Sequence, residues 1–462
     1  MRKTFLSGIL LAVCISPATR AQQRALNLEV KKIVDEVSED RIAEILKTLE
    51  GFGTRNVFSA TDDPKKGIGA ARTWIYDQFR GYSPKLEVCY DTYKVKKQTR
   101  VFRDVEVVNV VAVLPGKTDK ETQVLISGHY DSLNIVTKKP IPPEGLPPGE
   151  RMEYDDEKTV AAVAPGVTDD GSGTAAVMEL ARIMSHYEFD KTIVFVAFAG
   201  EEYGEIGSIP FAVKAEKQKR KIEAVLNNDI IGSETSGNGR SESSRVRVFS
   251  PDQRDSPSRE LARYIRTAAE RYIPSMSIDL IFRPDRFSRG GDQQGFIDHG
   301  FAAVRITSAA ENYANQHTAT DTFANTSVPY AARVTRVNGA ALASLALAPK
   351  PPIVTREILT GPNKGKRTPN IARGKSKYDA VLKWTNDNPE ADLAGYAIVS
   401  RSTTSPTWER EIYVGNVTEF TLPNVSIDDC VFGVKAIDKD GNESLVAVYP
   451  DAVYPKRDVQ VE

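Results

Sequence analysis

Histidine is scarce in this chain, four residues in 462, and two of the four stand among carboxylates. His129 occurs in Gly128-His129-Tyr130-Asp131-Ser132, and His317 occurs in Gln316-His317-Thr318 shortly before Asp321-Thr322. Further carboxylates stand in the Gly-rich run Gly166-Val167-Thr168-Asp169-Asp170-Gly171-Ser172-Gly173, in Gly200-Glu201-Glu202-Tyr203-Gly204, and in Asn228-Asp229. Neutral imidazoles and carboxylates are a ligand set for zinc, and sites that gather carboxylates often hold two ions about 3.5–4 Å apart. Two ions need one shared ligand, and Asp169 suits that place because a carboxylate carries two oxygens. In His129-x-Asp131, the carboxylate of Asp131 is placed to accept the second ring N–H of His129 and fix its tautomer. Adjacent Glu201 and Glu202 would face opposite sides of a regular strand. Both can serve one site only where the chain bends, which Gly200 and Gly204 permit. The other histidines, His186 near a helix end and His299 in Asp298-His299-Gly300, have no such setting and read as structural or surface residues.

Each motif alone is common, since Asp-Asp-Gly is usually a turn and Glu-Glu a solvated pair. Their weight comes from the elements that carry them. Gln123–Ser127, Thr192–Phe198 and Lys221–Asn227 are apolar runs of the kind found in strands buried on both faces. In an open α/β sheet, sites form outside the carboxyl ends of strands. These three runs lead directly into His129, Glu201-Glu202 and Asp229. Other strand-like runs are Lys85–Tyr93, Val105–Leu114, Val246–Phe249 and Ala302–Ile306. Helical spacing marks Leu26–Leu49, with Gly51 as its C-cap, and Ile68–Phe79, Gly171–Tyr187, Ser256–Tyr272 and Pro329–Leu347. Strands alternating with helices of this length predict an α/β fold with a mixed, largely parallel central sheet flanked by helices.

The composition changes after residue 347. Residues 348–377 are rich in Pro, Lys, Gly and Asn without periodicity, which predicts a linker or an extended edge segment. Short β-type runs follow at Ala380–Thr385, Ala394–Arg401, Glu411–Val414, Glu419–Leu422, Val431–Ile437 and Leu445–Tyr449. Turns rich in Asn, Asp and Gly separate them, which is the pattern of a small all-β sandwich over 378–455. The Pro-rich stretch Lys138–Pro148 predicts a surface loop inside the α/β unit.

Residues 1–21 read as a signal peptide, with Arg2 and Lys3 before the apolar stretch Phe5–Ile15 and a Thr19-Arg20-Ala21 cleavage site. This predicts an exported protein, periplasmic or extracellular, with residues 22–347 as the catalytic unit. A lipoprotein reading through Cys14 is less well supported, because Val13 is a poor residue before a modified cysteine. No later apolar run predicts a membrane span. Whole-chain charge is −1, and losing Arg2, Lys3 and Arg20 takes it to about −4, which gives no hint of a nucleic-acid partner. After leader removal only Cys89 and Cys430 remain, far apart in sequence, so no disulfide framework is expected.

Taken together, His129-x-Asp131, Gly166-x-x-Asp169-Asp170-Gly171-Ser172-Gly173, Gly200-Glu201-Glu202-x-Gly204-x-x-Gly207-Ser208, Asn228-Asp229 and His317-Thr318-x-x-Asp321-Thr322 resemble the co-catalytic zinc aminopeptidases of metallopeptidase family 28, of the bacterial leucyl type. The likeness spans about residues 105–347. It implies a zinc exopeptidase-like fold and two zinc ions, one on His129 and Asp229, the other on Glu202 and His317, with Asp169 bridging both. It also implies Glu201 as general base and a cis peptide between Asp169 and Asp170. The expected reaction is hydrolysis of the N-terminal bond of a peptide or protein, with a water between the two zinc ions and Asp131 supporting His129. There are two departures, the first of which bears on substrate choice, while the second segment is given no catalytic role. The Ser132–Gly166 interval is longer than in minimal members, and His is absent from Gly290-Gly291-Asp292-Gln293-Gln294. Tyr313 is a candidate oxyanion donor or a pocket-wall residue. Arg283, Arg286 and Arg289 lie in a loop able to approach the site. Carboxypeptidase action, glutaminyl cyclisation on one zinc and a non-enzymatic binding role are the alternatives. The C-terminal run resembles a fibronectin type III module through Leu382-x-Trp384, Gly395-Tyr396, Phe420-x-Leu422 and Phe432-x-Val434-x-Ala436, with Cys430 where such modules place a tyrosine. A module of this kind is expected to tether or orient the enzyme against another protein or a surface.

Overall fold

A computed structural model describes residues 26–140, 152–251, 255–385 and 390–453. The leader at 1–21, and the Pro-rich stretch from residue 141 on, lie outside the described residues.

The chain opens with helices α1 (Leu28–Asp35), α2 (Glu39–Gly51) and α3 (Gly67–Tyr82). The single helix predicted over Leu26–Leu49 is therefore two. Ser38 is extended (φ −102°, ψ 123°) and its hydroxyl accepts from Arg41 N–H, so it ends one helix and caps the next. The apolar residues stay in phase across the break. Val30, Ile33, Val34 and Val37 are buried like Ile42, Ile45, Leu46 and Leu49, which is why the break leaves no mark in the pattern. Gly51 is still helical, and the left-handed residue is Gly53 at φ 75°.

Strands β1 (Glu87–Val95), β2 (Val105–Leu114) and β3 (Asp119–His129) follow, then helices α4 (Asp156–Ala161) and α5 (Ser172–Met184). Next come β4 (Lys191–Phe198), α6 (Ser208–Lys217), β5 (Lys221–Asn228), β6 (Arg245–Ser250), α7 (Pro257–Tyr272), β7 (Ser277–Phe282), α8 (Gln293–Asp298), β8 (Ala303–Ser308) and α9 (Val328–Leu347). The eight strands form one mixed sheet in the order β1-β2-β4-β3-β5-β8-β6-β7. Within it β4, β3, β5 and β8 are parallel neighbours, whereas β2 runs antiparallel to β4 and β6 antiparallel to β8.

Because side chains alternate across a sheet, the central strands feed two cores. Val124, Ile126, Ile193, Phe195, Ala197, Ala224 and Leu226 face the larger one, built with α1, α2, α3, α5, α7 and α9. Leu125, Val194, Val196, Phe198 and Val225 face the smaller one, where Phe211 of α6 and Phe296 of α8 pack on Phe198 at ring distances of 5.5 and 6.1 Å. Each fully buried side chain of this size contributes about 1.5–3 kcal/mol. Coverage on both faces explains why these strands read as continuous apolar runs. No helix of the described residues is long and apolar enough to cross a membrane.

Beyond α9 the chain is all β: β9 (Thr355–Glu357), β10 (Arg367–Pro369), β11 (Ile371–Arg373), β12 (Ala380–Lys383), β13 (Leu393–Ser402), β14 (Arg410–Gly415), β15 (Glu419–Leu422), β16 (Cys430–Asp438) and β17 (Ala447–Val448). The segment 348–377 thus contains a small hairpin, β9 with β10, and an edge strand, β11, which pairs with β12. Runs of three residues are too short to show a period of two, which hides them in the sequence. Antiparallel sheets β11-β12-β15 and β14-β13-β16-β17 enclose one core around Leu382, Trp384, Tyr396, Phe432 and Val434. The cysteines Cys89 and Cys430 are both free thiols.

This β unit is fastened to the α/β unit largely through polar groups. Arg401 pairs with Asp255 at 2.5 Å, Arg263 of α7 pairs with Asp255 at 3.0 Å and donates to the carbonyl of Pro406 at 2.7 Å, and Trp408 donates to Glu260 of α7 at 3.1 Å. Arg263 and Arg401 are 4% and 5% exposed, so these are desolvated contacts rather than a solvated seam.

Candidate metal centre

Parallel pairing of β4, β3 and β5 brings their carboxyl ends to one edge of the sheet, with His129 registered against Phe198 and Ser127 against Asn227. His129 is the last residue of β3, and Asp229 follows β5 by one position. After β4, Gly200 takes φ 79° and the chain enters a single 3₁₀ turn, Glu201–Tyr203, closed by Gly204 at φ 96°. A side chain at Gly200 would also meet Ile206 at 2.5 Å. The bend anticipated between the two glycines is therefore real, and it turns both glutamates toward the same edge.

Asp169 arrives from the loop before α5 and His317 from the loop after β8. The Asp169–Asp170 peptide is cis. Two oxygens of Asp169 face two imidazoles: Oδ1 lies 3.3 Å from His129 Nε2 and Oδ2 lies 3.2 Å from His317 Nε2. His317 Nε2 is 2.9 Å from Glu202 Oε2, and His129 Nε2 is 3.9 Å from Asp229 Oδ1. Donor atoms of His129, Asp169 and Asp229 lie within 4.8 Å of one another, as do those of Asp169, Glu202 and His317. His129, Glu201 and Glu202 make a third such group. All five residues anticipated as ligands thus meet in one place, with Glu201 beside them at 4.0 Å from His129.

The atoms facing the middle of the cluster are unusual for a protein interior. Among the described residues His129 Nε2, Glu202 Oε1 and Asp229 Oδ1 are buried with no hydrogen-bond partner, a condition that costs about 1–3 kcal/mol per group or more when charged. Burial, reinforced by Asp229 and Glu202, pushes the Glu201 carboxyl well above its ordinary range. Burial likewise raises Glu202 and Asp229. For Asp169 burial acts the same way, but His129 and His317 outweigh it and hold the carboxyl low. Crowded carboxylates that raise one another, with orphaned oxygen and nitrogen donors aimed inward, are the signature of a place built for positive charge. An imidazole and carboxylate donor set of this kind fits zinc.

A second tier of residues holds the donors in place. Asp131 reaches three groups: its carboxylate is 3.4 Å from His129 Nδ1 and accepts the N–H groups of Glu201 and Glu202 at 3.3 and 3.4 Å. His129 Nδ1 is nearer still, 3.2 Å, to the carbonyl of Asp131. Asp170 does not point at the cluster. It accepts from His129 N–H, Gly173 N–H and Ile230 N–H at 2.9–3.1 Å, tying the ends of β3 and β5 to the start of α5. Asp321, pushed up to about 6 by burial, accepts from Thr168 N–H and Asp169 N–H at 3.0 and 2.9 Å. Arg305, fully buried, pairs with the other oxygen of Asp229 at 2.7 Å. Arg55, also fully buried, donates to the carbonyls of Leu49, Tyr130, Pro165 and Gly166 at 2.6–3.0 Å. Neither arginine has a sequence signal, because each role depends on groups brought together from several segments.

The cluster opens into a cavity of about 450 Å³. Arg286 and Arg289 line it, as does Arg100, which the sequence did not single out, whereas Arg283 does not. Tyr313 is 60% exposed and outside the cavity lining, with the Arg289 guanidinium 5.9 Å over its ring. Asp292 is buried near His129 and Asp131, and burial lifts its carboxyl to about 7. Of the histidines read as structural or surface, His299 is partly exposed and pairs with Glu216 at 2.7 Å, and His186 is exposed.

A model of peptidase family M28 matches residues 109–342. The chain is 35% identical over 452 residues to a probable zinc metalloprotease of Pyricularia oryzae, covering 90% of this chain and 83% of that one. It is 34% identical over 453 residues to a probable zinc metalloprotease of Leptosphaeria maculans, covering 91% and 96%. Among solved structures, the LapA aminopeptidase of Legionella pneumophila superposes with a TM-score of 0.51 at 18% identity, over 70% of this chain and 76% of that chain. LapB from the same organism gives 0.51 at 18%, over 69% and 75%. These likenesses are of fold.

Proposed function

The chain belongs to peptidase family M28, and from that premise we propose that it is a zinc-dependent exopeptidase, an aminopeptidase that hydrolyses the N-terminal bond of peptides. The observation that carries this reading is the pair of donor groups sharing Asp169, each with inward-facing atoms that have no other partner. His129, Asp229 and Asp169 would hold one zinc, and Glu202, His317 and Asp169 the other. When bound, such ions supply Lewis acidity, making water a competent nucleophile near neutral pH and polarising the scissile carbonyl. Glu201, beside both groups but needed by neither, takes the proton of the attacking water and returns it to the leaving amine. Asp131 positions rather than reacts: it orients the His129 ring and holds the turn that presents Glu201 and Glu202. Glu205, on the cavity wall, offers a carboxylate for a free α-ammonium.

The C-terminal unit is proposed to be a fibronectin type III-like module, on the strength of its two antiparallel sheets over a Trp384–Tyr396 core. Export rests on the leader at 1–21, and N-terminal sequencing of the protein recovered outside the cytoplasm tests it.

The functional test is a panel of aminoacyl-anilides and N-blocked peptides, assayed with and without a chelator, alongside metal counting on parent and Glu201→Gln proteins. Two zinc ions per chain, chelator-sensitive cleavage of free N-termini, and a loss of 10²–10⁴-fold in Glu201→Gln with zinc retained are expected. Cleavage of blocked peptides alone would overturn the aminopeptidase reading. One zinc per chain would overturn the shared role of Asp169.

A further inference from the structure

The cavity in front of the metal cluster is poorly made for an apolar side chain. Of the twelve described residues that line it only Ile230 carries an apolar side chain, and the rest are charged, polar or glycine. A leucine or phenylalanine side chain gains affinity by leaving water for an apolar wall, and the described residues supply no such wall here. Three guanidiniums are present instead.

The three are not equivalent. Arg286 is 7% exposed and already compensated by two carboxylates, Asp285 at 3.1 Å and Glu311 at 2.6 Å. Its charge is spent within the protein. Arg289 and Arg100 differ, because the hydrogen-bond partners described for them are neutral; Arg100 also lies near the Glu205 carboxyl, whose charged form it favours. Arg289 donates to the side-chain oxygen of Gln316 at 2.8 Å, and Arg100 donates to the carbonyl of Glu202 at 3.2 Å. A neutral acceptor fixes the direction of a guanidinium and leaves its charge, with several of its five N–H donors, available for a ligand. The anchoring residues also matter. Glu202 is a proposed zinc ligand, and Gln316 adjoins another, His317. Both arginines are therefore fastened beside the Glu202 and His317 half of the site. The turn that carries Arg289 is closed by its own N–H on the carbonyl of Arg286 at 3.2 Å, with Ser288 left-handed at φ 56°.

We infer that Arg100 and Arg289 form a carboxylate-recognition site, so that the preferred substrates are short peptides bearing a carboxylate close to the scissile bond. This rests on the peptidase reading above and deepens it. The carboxylate is either the side chain of an acidic residue or the free terminus of a di- or tripeptide, since a guanidinium fork reads the two alike.

Two matched pairs separate the sources. Glutamyl- and glutaminyl-anilide differ in side-chain charge alone, and Leu-Gly and Leu-Gly-amide in terminal charge. The zinc-loaded protein is expected to favour the charged member of at least one pair by about tenfold in kcat/KM. That ratio should fall toward one in Arg100→Gln/Arg289→Gln, shrink between low and high salt, and be partly kept by Arg100→Lys/Arg289→Lys, which restores charge without the fork. A preference in the first pair assigns the side chain, and one in the second assigns the terminus. If neither pair discriminates, or if discrimination survives in the double Gln variant, the inference is overturned while the peptidase reading stands. If no substrate is hydrolysed, that reading fails instead. The same pairs read as binding by calorimetry, parent against double variant, then decide the carboxylate site without turnover.

Discussion

Replacing Arg55 by Met would remove a cation that touches no substrate and yet supports the whole site. Its guanidinium donates to four carbonyls, Tyr130 and Pro165 at 2.6 Å, Gly166 at 2.7 Å and Leu49 at 3.0 Å, and it is fully buried. Hydrogen bonds from a charged donor contribute about 1.5–3 kcal/mol each, so four contribute roughly 6 kcal/mol at the low end. Against this stands the cost of keeping the charge in a dry place. Burial pulls the Arg55 guanidinium down from 12.5 to about 10, which at about 1.4 kcal/mol per unit is roughly 3 kcal/mol. The hydrogen bonds win, and Arg55→Met should destabilise the protein by about 3 kcal/mol or more. Tyr130 adjoins His129, and Pro165 and Gly166 open the loop that carries Asp169. The same variant should therefore bind zinc at least tenfold more weakly. Lys, whose three donors cannot span four acceptors in a plane, should fall between. Urea unfolding in chelator gives the first quantity and competition with a zinc indicator the second. An Arg55→Met protein within about 1 kcal/mol of the parent, with unchanged zinc affinity, would refute this reasoning.

Gly173→Ala places a methyl 2.3 Å from Asp170 Oδ2 and 2.7 Å from the carbonyl of Asn228. The clash should outweigh the helix-propensity gain, costing about 1–3 kcal/mol, and should weaken zinc binding measurably in indicator competition. Asp292 gives a pH test. Its carboxyl, raised from 3.8 to about 7 by burial, binds its proton more tightly folded than unfolded, so stability falls as pH climbs from about 4 to 7, by a few kcal/mol. Asp292→Asn should flatten that decline, and melting curves of the chelated proteins at pH 5 and pH 8 check it, with an unchanged decline counting against the assignment. Trp408→Ala removes the donor to Glu260 and the ring beneath Arg263 and Arg401. Calorimetry should show the β unit melting several degrees earlier as a separate transition.

The sheet and the candidate ligands were legible in the sequence for the same reason. Strands buried on both faces are continuous apolar runs, and a carboxylate or histidine immediately after such a run must lie at the sheet's edge. That logic placed His129, Glu202 and Asp229, and the flanking glycines announced the turn at Glu201. What escaped was of two kinds. Some elements carry no period to read, such as the three-residue strands within 348–377 and the helix break at Ser38, where the apolar spacing continues undisturbed. Others are long-range hydrogen-bond hubs. Arg55 gathers carbonyls from three segments and Arg305 joins Asp229 to Asp285, and nothing local distinguishes them from surface arginines. Arg100 belongs with these, since only the folded chain sets it beside Glu202.

Asp169 turns one oxygen to His129 and the other to His317, and that geometry ranks the routes by which descendants of this chain could change. If the proposed two-zinc assignment holds, a lineage that lost His129 or Asp229, or instead Glu202 or His317, would still keep half of the centre and whatever chemistry one ion allows. On the proposed two-zinc reading, a change at Asp169 would take both halves together. Specialisation toward a single ion would, on that same reading, run through the outer donors rather than through Asp169.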